Sequence, residues 1–269
     1  MHRDWDDAFA NMAHVPGAAA LPERWAAEAA DYRAGLGTAF EGELAYGDGA
    51  RARFDLVHPE GAVRGLLVFV HGGYWMKFDK SFWTHLAEGA RARGWAVAVP
   101  SYPLAPGARI AEMTAAVGAA IAAAAARVEG PVRLAGHSAG GHLVTRMLCA
   151  DSPLPTHLRD RLARVVSISG LHDLRPLMNT AMNATLGLDH AQARAESPAL
   201  AEPFGRPALT LWVGGDERPE FIRQARLMAL MWDSFDGRIR LTVEPEQNHF
   251  TVIEGLAEPH AALTREVAT

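Results

Sequence analysis

Apolar positions along the chain gather in short, nearly continuous runs separated by glycine, proline and aspartate. Leu66-Leu67-Val68-Phe69-Val70 is the clearest of them. A run that short, without polar alternation, fits a parallel strand buried on both faces. Eight segments read as strands: 41–46, 51–58, 65–70, 96–100, 132–135, 165–169, 208–213 and 239–243. The first two form an antiparallel pair around Gly47-Asp48-Gly49. Between the later strands the apolar spacing changes to the helical period. Segments 80–93, 110–128, 140–150, 220–235 and 251–267 are predicted as helices. The alanine-rich stretch 111–126 favours a helix packed closely on the sheet.

Strand and helix in alternation predict an α/β fold with a mostly parallel eight-stranded sheet flanked by helices. Trp5, Phe9, Trp25 and Tyr32 recur at roughly helical spacing, so residues 1–40 read as an N-terminal helical arm. Residues 171–207 are weakly patterned and read as a cap-like insertion with short helices over the active site. No Pro/Ser-rich linker divides the chain, so residues 1–269 are expected to form one domain.

Composition narrows the partners. Hydrophobic residues make up 49% and charged residues 21%, enough for a large core. The net charge of −5 argues against nucleic acid or an anionic membrane as a partner and leaves a small molecule. No apolar run is long enough to span a bilayer. The start, Met1-His2-Arg3-Asp4-Trp5-Asp6-Asp7, lacks the apolar core of a secretory leader. Cys149 is the single cysteine, so no internal disulfide forms. A cytoplasmic protein is expected, and a homodimer stays open.

The chemistry concentrates in two glycine-rich turns. Gly136-His137-Ser138-Ala139-Gly140-Gly141 joins a predicted strand to a predicted helix. That is the setting in which G-x-S-x-G lifts a serine hydroxyl over the end of a sheet. His71-Gly72-Gly73-Tyr74-Trp75 follows the strand at 65–70. Its backbone places the N–H groups of Gly73 and Tyr74, with that of Ala139, as candidate oxyanion donors. A serine nucleophile requires a base and a group that orients the base, in the chain order Ser, acid, His. Among the 12 histidines, His249 after the last strand has the right place. His71 is expected to bond backbone, His142 to be structural, and His260 to lie at the surface. Asp216 and Glu217 both follow the strand at 208–213, and Asp173 is a third candidate acid. Tyr74, Trp75 and His172 are candidates to meet an aromatic substrate group. No H-E-x-x-H motif or other ligand spacing suggests a metal, and Cys149 lacks an elbow of its own.

Together these residues resemble the α/β-hydrolase superfamily. The two glycine turns, with His142-Leu143, are similar to those of the kynurenine formamidase (arylformamidase) group of serine hydrolases. So are Ser169-Gly170-Leu171-His172-Asp173-Leu174-Arg175-Pro176-Leu177, Leu186-Gly187-Leu188, Ser197-Pro198 and Pro219-Glu220-Phe221-Ile222-Arg223-Gln224. The resemblance implies a cofactor-free Ser-acid-His hydrolase that cleaves N-formyl-kynurenine. Related carboxylesterases, acting on small acyl or aryl esters, share the same turns and supply the alternative. In the family register the acid stands three before the Glu of the Glu-Phe pair. That implies Glu217, with Asp216 one residue out of register.

Overall fold

The computed structural model describes residues 3–269; Met1 and His2, part of the leader reading, lie outside the described residues. The strands are β1 (Phe40–Ala45), β2 (Arg53–Val57), β3 (Leu66–Val70), β4 (Ala96–Pro100), β5 (Val132–His137), β6 (Leu162–Ile168), β7 (Ala208–Gly214) and β8 (Arg238–Glu244). The helices of the first half are α1 (Trp5–Phe9), α2 (Leu21–Gly35), α3 (Glu88–Arg91), α4 (Ile110–Ala125) and α5 (Ala139–Arg146). Then come α6 (Thr156–Arg159), α7 (Asn183–Leu186), α8 (His190–Ala195), α9 (Pro219–Trp232) and α10 (Ala262–Ala268).

The eight strands form one sheet in the order β1-β2-β4-β3-β5-β6-β7-β8. Only β2 runs against its neighbours; β3 through β8 pair in parallel. The continuous apolar runs are explained by burial on both faces. Leu66, Val68 and Val70 join the core that also holds residues of α4, α5 and α9. Leu67 and Phe69, between them, point into a second core with Trp25, Trp95 and α10. Since parallel strands end on the same edge, the loops after β3, β5, β6, β7 and β8 converge there.

Two predicted helices are broken. Segment 80–93 is a 3-10 turn at Lys80–Phe82, another at Thr84–Ala87, and the single turn α3. Lys80 is drawn to Asp55 at 2.8 Å, and Trp83 leaves helical geometry to pack its ring 4.8 Å from that of Trp25. Segment 251–267 is a 3-10 helix at Thr251–Ala257 and then α10. Pro259 causes the break by forcing Glu258 into extended backbone, with φ −106° and ψ 116°. His260 falls in that gap, exposed.

Residues 171–207 depart from expectation in their position. Their short helical turns pack against α1, α5 and α9. Glu196 anchors them. Its carboxylate accepts from Arg146 at 3.2 Å and Thr114 at 2.8 Å, and its carbonyl accepts from His142 Nε2–H at 2.7 Å. All four of these residues are buried.

Besides His249, four histidines are buried: His71, His137, His142 and His172. His71 stacks on Tyr102 and donates from Nδ1 to the Gly72 carbonyl at 2.7 Å, as expected of a backbone-bonding residue. His137 donates from Nε2 to the His249 carbonyl at 2.8 Å. Burial pushes His71 down to about 4, His142 and His172 to about 3, and His137 well below 6.5.

Two expectations about stability follow from these contacts. Glu196→Ala leaves Arg146 with only the half-exposed Asp151 and should cost about 3 kcal/mol in urea unfolding. A loss below about 1 kcal/mol would contradict the anchoring role. The histidines bind protons in the unfolded chain near 6.5 but not in the fold. Stability is therefore complete above that pH and falls as pH drops toward 3–4, by about 1.4 kcal/mol per pH unit for each histidine. Urea midpoints at pH 8, 6 and 5 check this; a flat profile would show that the histidines are not buried neutral.

Candidate active site

The sharpest local geometry is the β5–Ser138–α5 turn. Ser138 has φ 55° and ψ −117°, a conformation that non-glycine residues rarely adopt. Its N–H donates to the Ile168 carbonyl at 2.8 Å, which fixes it at the strand end. The flanking glycines are explained by crowding. A Cβ on Gly136 would lie 2.2 Å from the Gly140 carbonyl oxygen, and one on Gly140 would lie 2.0 Å from that of Val70. Helix α5 thus presses its first turn against β3 and β5, and Ser138 sits above its N-terminus.

Glu217 and His249 meet beside it. The Glu217 carboxylate is fixed at both oxygens. Oε1 accepts from the Gly214 N–H at 2.8 Å and from the Ser169 hydroxyl. Oε2 lies 2.6 Å from His249 Nδ1. This arrangement sets the tautomer, with the proton on Nδ1 and Nε2 left as the free base. The His249 ring is gripped between His137 and Phe221, whose ring centroids lie 4.6 and 4.5 Å away. Both Glu217 and His249 are buried.

Asp216 takes no part. Its side chain is exposed, while its N–H donates to the Gln247 carbonyl at 3.0 Å. Asp173 is engaged by Arg175 at 2.9 and 3.0 Å. Geometry therefore separates Glu217 from Asp216, which spacing left equivalent, and sets aside the weaker candidate Asp173.

The loop after β3 supplies the facing wall. Gly73 has φ 117°, and Tyr74 and Trp75 follow at 57° and 59°. The Gly73 carbonyl accepts from the N–H groups of Met76 and Lys77, both at 2.9 Å, closing the loop. Among the described residues, the N–H groups of Gly73 and Tyr74 bond no backbone carbonyl. Ala139 opens α5, so its N–H has no partner within the helix.

Ser138, His249, Gly73 and Tyr74 line one cavity of about 170 Å³. Its other walls are Met12, Pro22, Trp25, Phe78, Trp83 and Phe250, with Lys77. A wider groove of about 840 Å³ contains none of Ser138, Glu217 or His249. Three expectations need correction. Trp75 is not in the cavity lining; it is buried with its ring edge-on to His142. His172 is also absent from the lining, completely buried near Ser167 with its N–H bonded to Gln224. The 171–207 segment contributes no lining residue, and the cover comes from the N-terminal arm.

Sequence reasoning missed Ser169, His137 and the arm residues. Ser169 carried one faint signal, a strand ending in Ser-Gly. Trp25 was recognised as an anchor of the arm, but nothing in its spacing pointed to the cavity. Cys149 is buried, and burial pushes its thiol up to about 12, which suits an inert core residue. Among the described residues, no cluster of three or more His, Cys, Asp or Glu has metal-holding geometry. No helix among them is long and apolar enough to cross a membrane.

Known proteins resemble this chain in sequence and in fold. Kynurenine formamidase of Danio rerio is 25% identical over 233 residues, covering 83% of this chain and 79% of that protein. Its counterpart in Drosophila melanogaster is 27% identical over 239 residues, covering 82% and 78%. A crystal structure from Silicibacter sp. TM1040, of a protein provisionally named a thioesterase, is 48% identical. It superposes with a TM-score of 0.95 over 100% of both chains. The family model described as the alpha/beta hydrolase family matches residues 67–263, a span that holds Ser138, Glu217 and His249 together. The chain belongs to the alpha/beta hydrolase family.

Proposed function

We propose that this hydrolase is a cytoplasmic enzyme that cleaves an aryl formamide, N-formyl-kynurenine to kynurenine and formate, with Ser138, Glu217 and His249 as its catalytic triad. The observation that carries the reading is the 2.6 Å Glu217–His249 pair beside an elbow serine in one small, largely apolar cavity. The likeness to kynurenine formamidases supports the choice of substrate.

The Ser138 hydroxyl attacks the formyl carbon while His249 Nε2 takes its proton. Glu217 stabilises the imidazolium through Nδ1–H. The carbonyl oxygen, now an oxyanion, is held by the N–H groups of Gly73, Tyr74 and Ala139. The tetrahedral adduct collapses by breaking the C–N bond, and His249 returns the proton to the departing aryl amine. Water then attacks the formyl-serine ester and gives its proton to His249. Release of formate restores the Ser138 hydroxyl. A formyl group asks little volume on the acyl side, and the aromatic walls, Tyr74 included, suit an aryl leaving group.

The same machinery serves a carboxylesterase acting on small acyl or aryl esters. The thioesterase name of the 48% identical protein favours this second reading. Comparing kcat/KM for N-formyl-kynurenine with that for p-nitrophenyl acetate decides between them. A preference for the ester would overturn the formamidase reading.

Ser138→Ala should lower kcat by about 10⁴- to 10⁶-fold with little change in melting temperature. Retained wild-type hydrolysis would remove the acyl-enzyme mechanism. Glu217→Gln should lower kcat by about 10⁴-fold, because an amide no longer holds the required tautomer. Asp216→Asn serves as the contrast and should stay within about threefold of wild type, as expected for an exposed side chain. A larger loss in the Asp216 variant than in the Glu217 variant would reverse the assignment of the acid.

A further inference from the structure

The chain has two lysines, Lys77 and Lys80, against 24 arginines, and both stand on the loop that carries Gly73 and Tyr74. Their environments are opposite. Lys80 is buried and held by Asp55 at 2.8 Å and by Glu43. Lys77 is exposed at the cavity, and among the described residues no carboxylate lies within ion-pair distance of it. One lysine is structural, and the other is an exposed, unpaired cation at the cavity that holds Ser138.

The position of Lys77 is tied to the reacting centre. Its N–H donates to the Gly73 carbonyl at 2.9 Å. Its own carbonyl oxygen approaches Gly73 so closely that a Cβ there would lie 2.4 Å away. The backbone of Lys77 and the Gly73 and Tyr74 N–H groups therefore belong to one tight loop. Apart from Lys77 itself, Ser138, Tyr74, His137 and His249, the rest of the cavity lining is apolar or glycine, with Met12, Trp25, Phe78 and Trp83 among its residues, and no lining residue carries a carboxylate. A charge beside low-dielectric walls acts more strongly on an incoming anion than the same charge on an open surface.

We propose that Lys77 determines specificity by receiving a carboxylate carried on the leaving group of the substrate. The proposal deepens the hydrolase reading above and rests on it. A formyl group bears only hydrogen besides its carbonyl, so in an aryl formamide the charge can sit only on the aryl amine side. Lysine suits the task because its ammonium is a point charge on a flexible stem that can follow the anion into the mouth of the cavity. The substrate class is then aryl formamides, or aryl esters if the ester reading holds, that carry a carboxylate on the leaving-group side.

The test uses matched substrate pairs. The formamide pair is 4-(2-formamidophenyl)-4-oxobutanoate, the desamino analogue of N-formyl-kynurenine, and the corresponding butanamide. The ester pair is 3-(4-acetoxyphenyl)propanoate and the corresponding propanamide. For each pair, the ratio of kcat/KM for the charged member to that for the neutral one is measured in wild type, Lys77→Met, Lys77→Arg and Lys77→Glu. The ratio should fall at least about tenfold in Lys77→Met, chiefly through KM, and further in Lys77→Glu. Lys77→Arg should restore it to within about threefold. Because each ratio is internal to one variant, loss of folded protein cancels.

An unchanged ratio in Lys77→Met overturns the proposal and leaves Lys77 a solvated surface cation. Failure of wild type to cleave formamides sinks the formamidase reading alone, since the ester pair still decides the role of Lys77. Should neither pair turn over, binding of 3-phenylpropanoate decides it, read from the fluorescence of Trp25 and Trp83. Binding at least about tenfold weaker in Lys77→Met supports the proposal, and equal binding overturns it.

Discussion

A helix that begins one residue after a strand ends must fold back over its neighbours with no room for side chains at the crossing. That crossing, where α5 meets β3 and β5, is the constraint on which the rest depends. The Gly136 and Gly140 contacts allow it, and Ser138 absorbs the strain with its positive φ. Once the serine is fixed by the Ile168 carbonyl, every other functional group has a set target. The β3 loop must turn its amides toward the same point, and the loops after β7 and β8 must bring a carboxylate and an imidazole up to it. The parallel sheet makes this feasible because all these loops leave from one edge.

The second tier of the site holds the first in register. Ser169, at the end of β6, and the Gly214 N–H, at the end of β7, orient one carboxylate oxygen of Glu217 and leave the other for His249. His137 stands beside Ser138 and yet bonds the His249 carbonyl. Three strand ends and the elbow are therefore connected through a single imidazole. A neutral neighbour matters too, because a second charged histidine at 4.6 Å would oppose the imidazolium that the proposed mechanism forms.

Much of this was legible in the residues, and the reasons are physical. A strand buried on both faces leaves a continuous apolar run, so the middle strands were visible with ends only slightly displaced. The elbow was visible because its glycines have no substitute. Glu217 could not be separated from Asp216 by spacing, since adjacent residues differ only in which way the backbone turns them. The segment 80–93 looked helical because periodicity does not record an ion pair that pulls Lys80 out of line or an indole that seeks Trp25. Trp75 and His172 lay in the right stretches but point into the core. Ser169 was only faintly readable, since its importance comes from a partner 48 positions away.

The arm gives the cavity a dependence in time as well as in space. Trp25 packs against Phe78, Trp83 and Phe250, with ring centroids 5.9, 4.8 and 5.8 Å away. On the ribosome, the indole that walls the cavity is made long before the phenylalanine that it packs against. A growing chain that already carries its serine elbow and carboxylate still lacks its base and the completed wall. In the proposed mechanism, a chain that has not yet reached His249 and Phe250 has neither its base nor its completed wall.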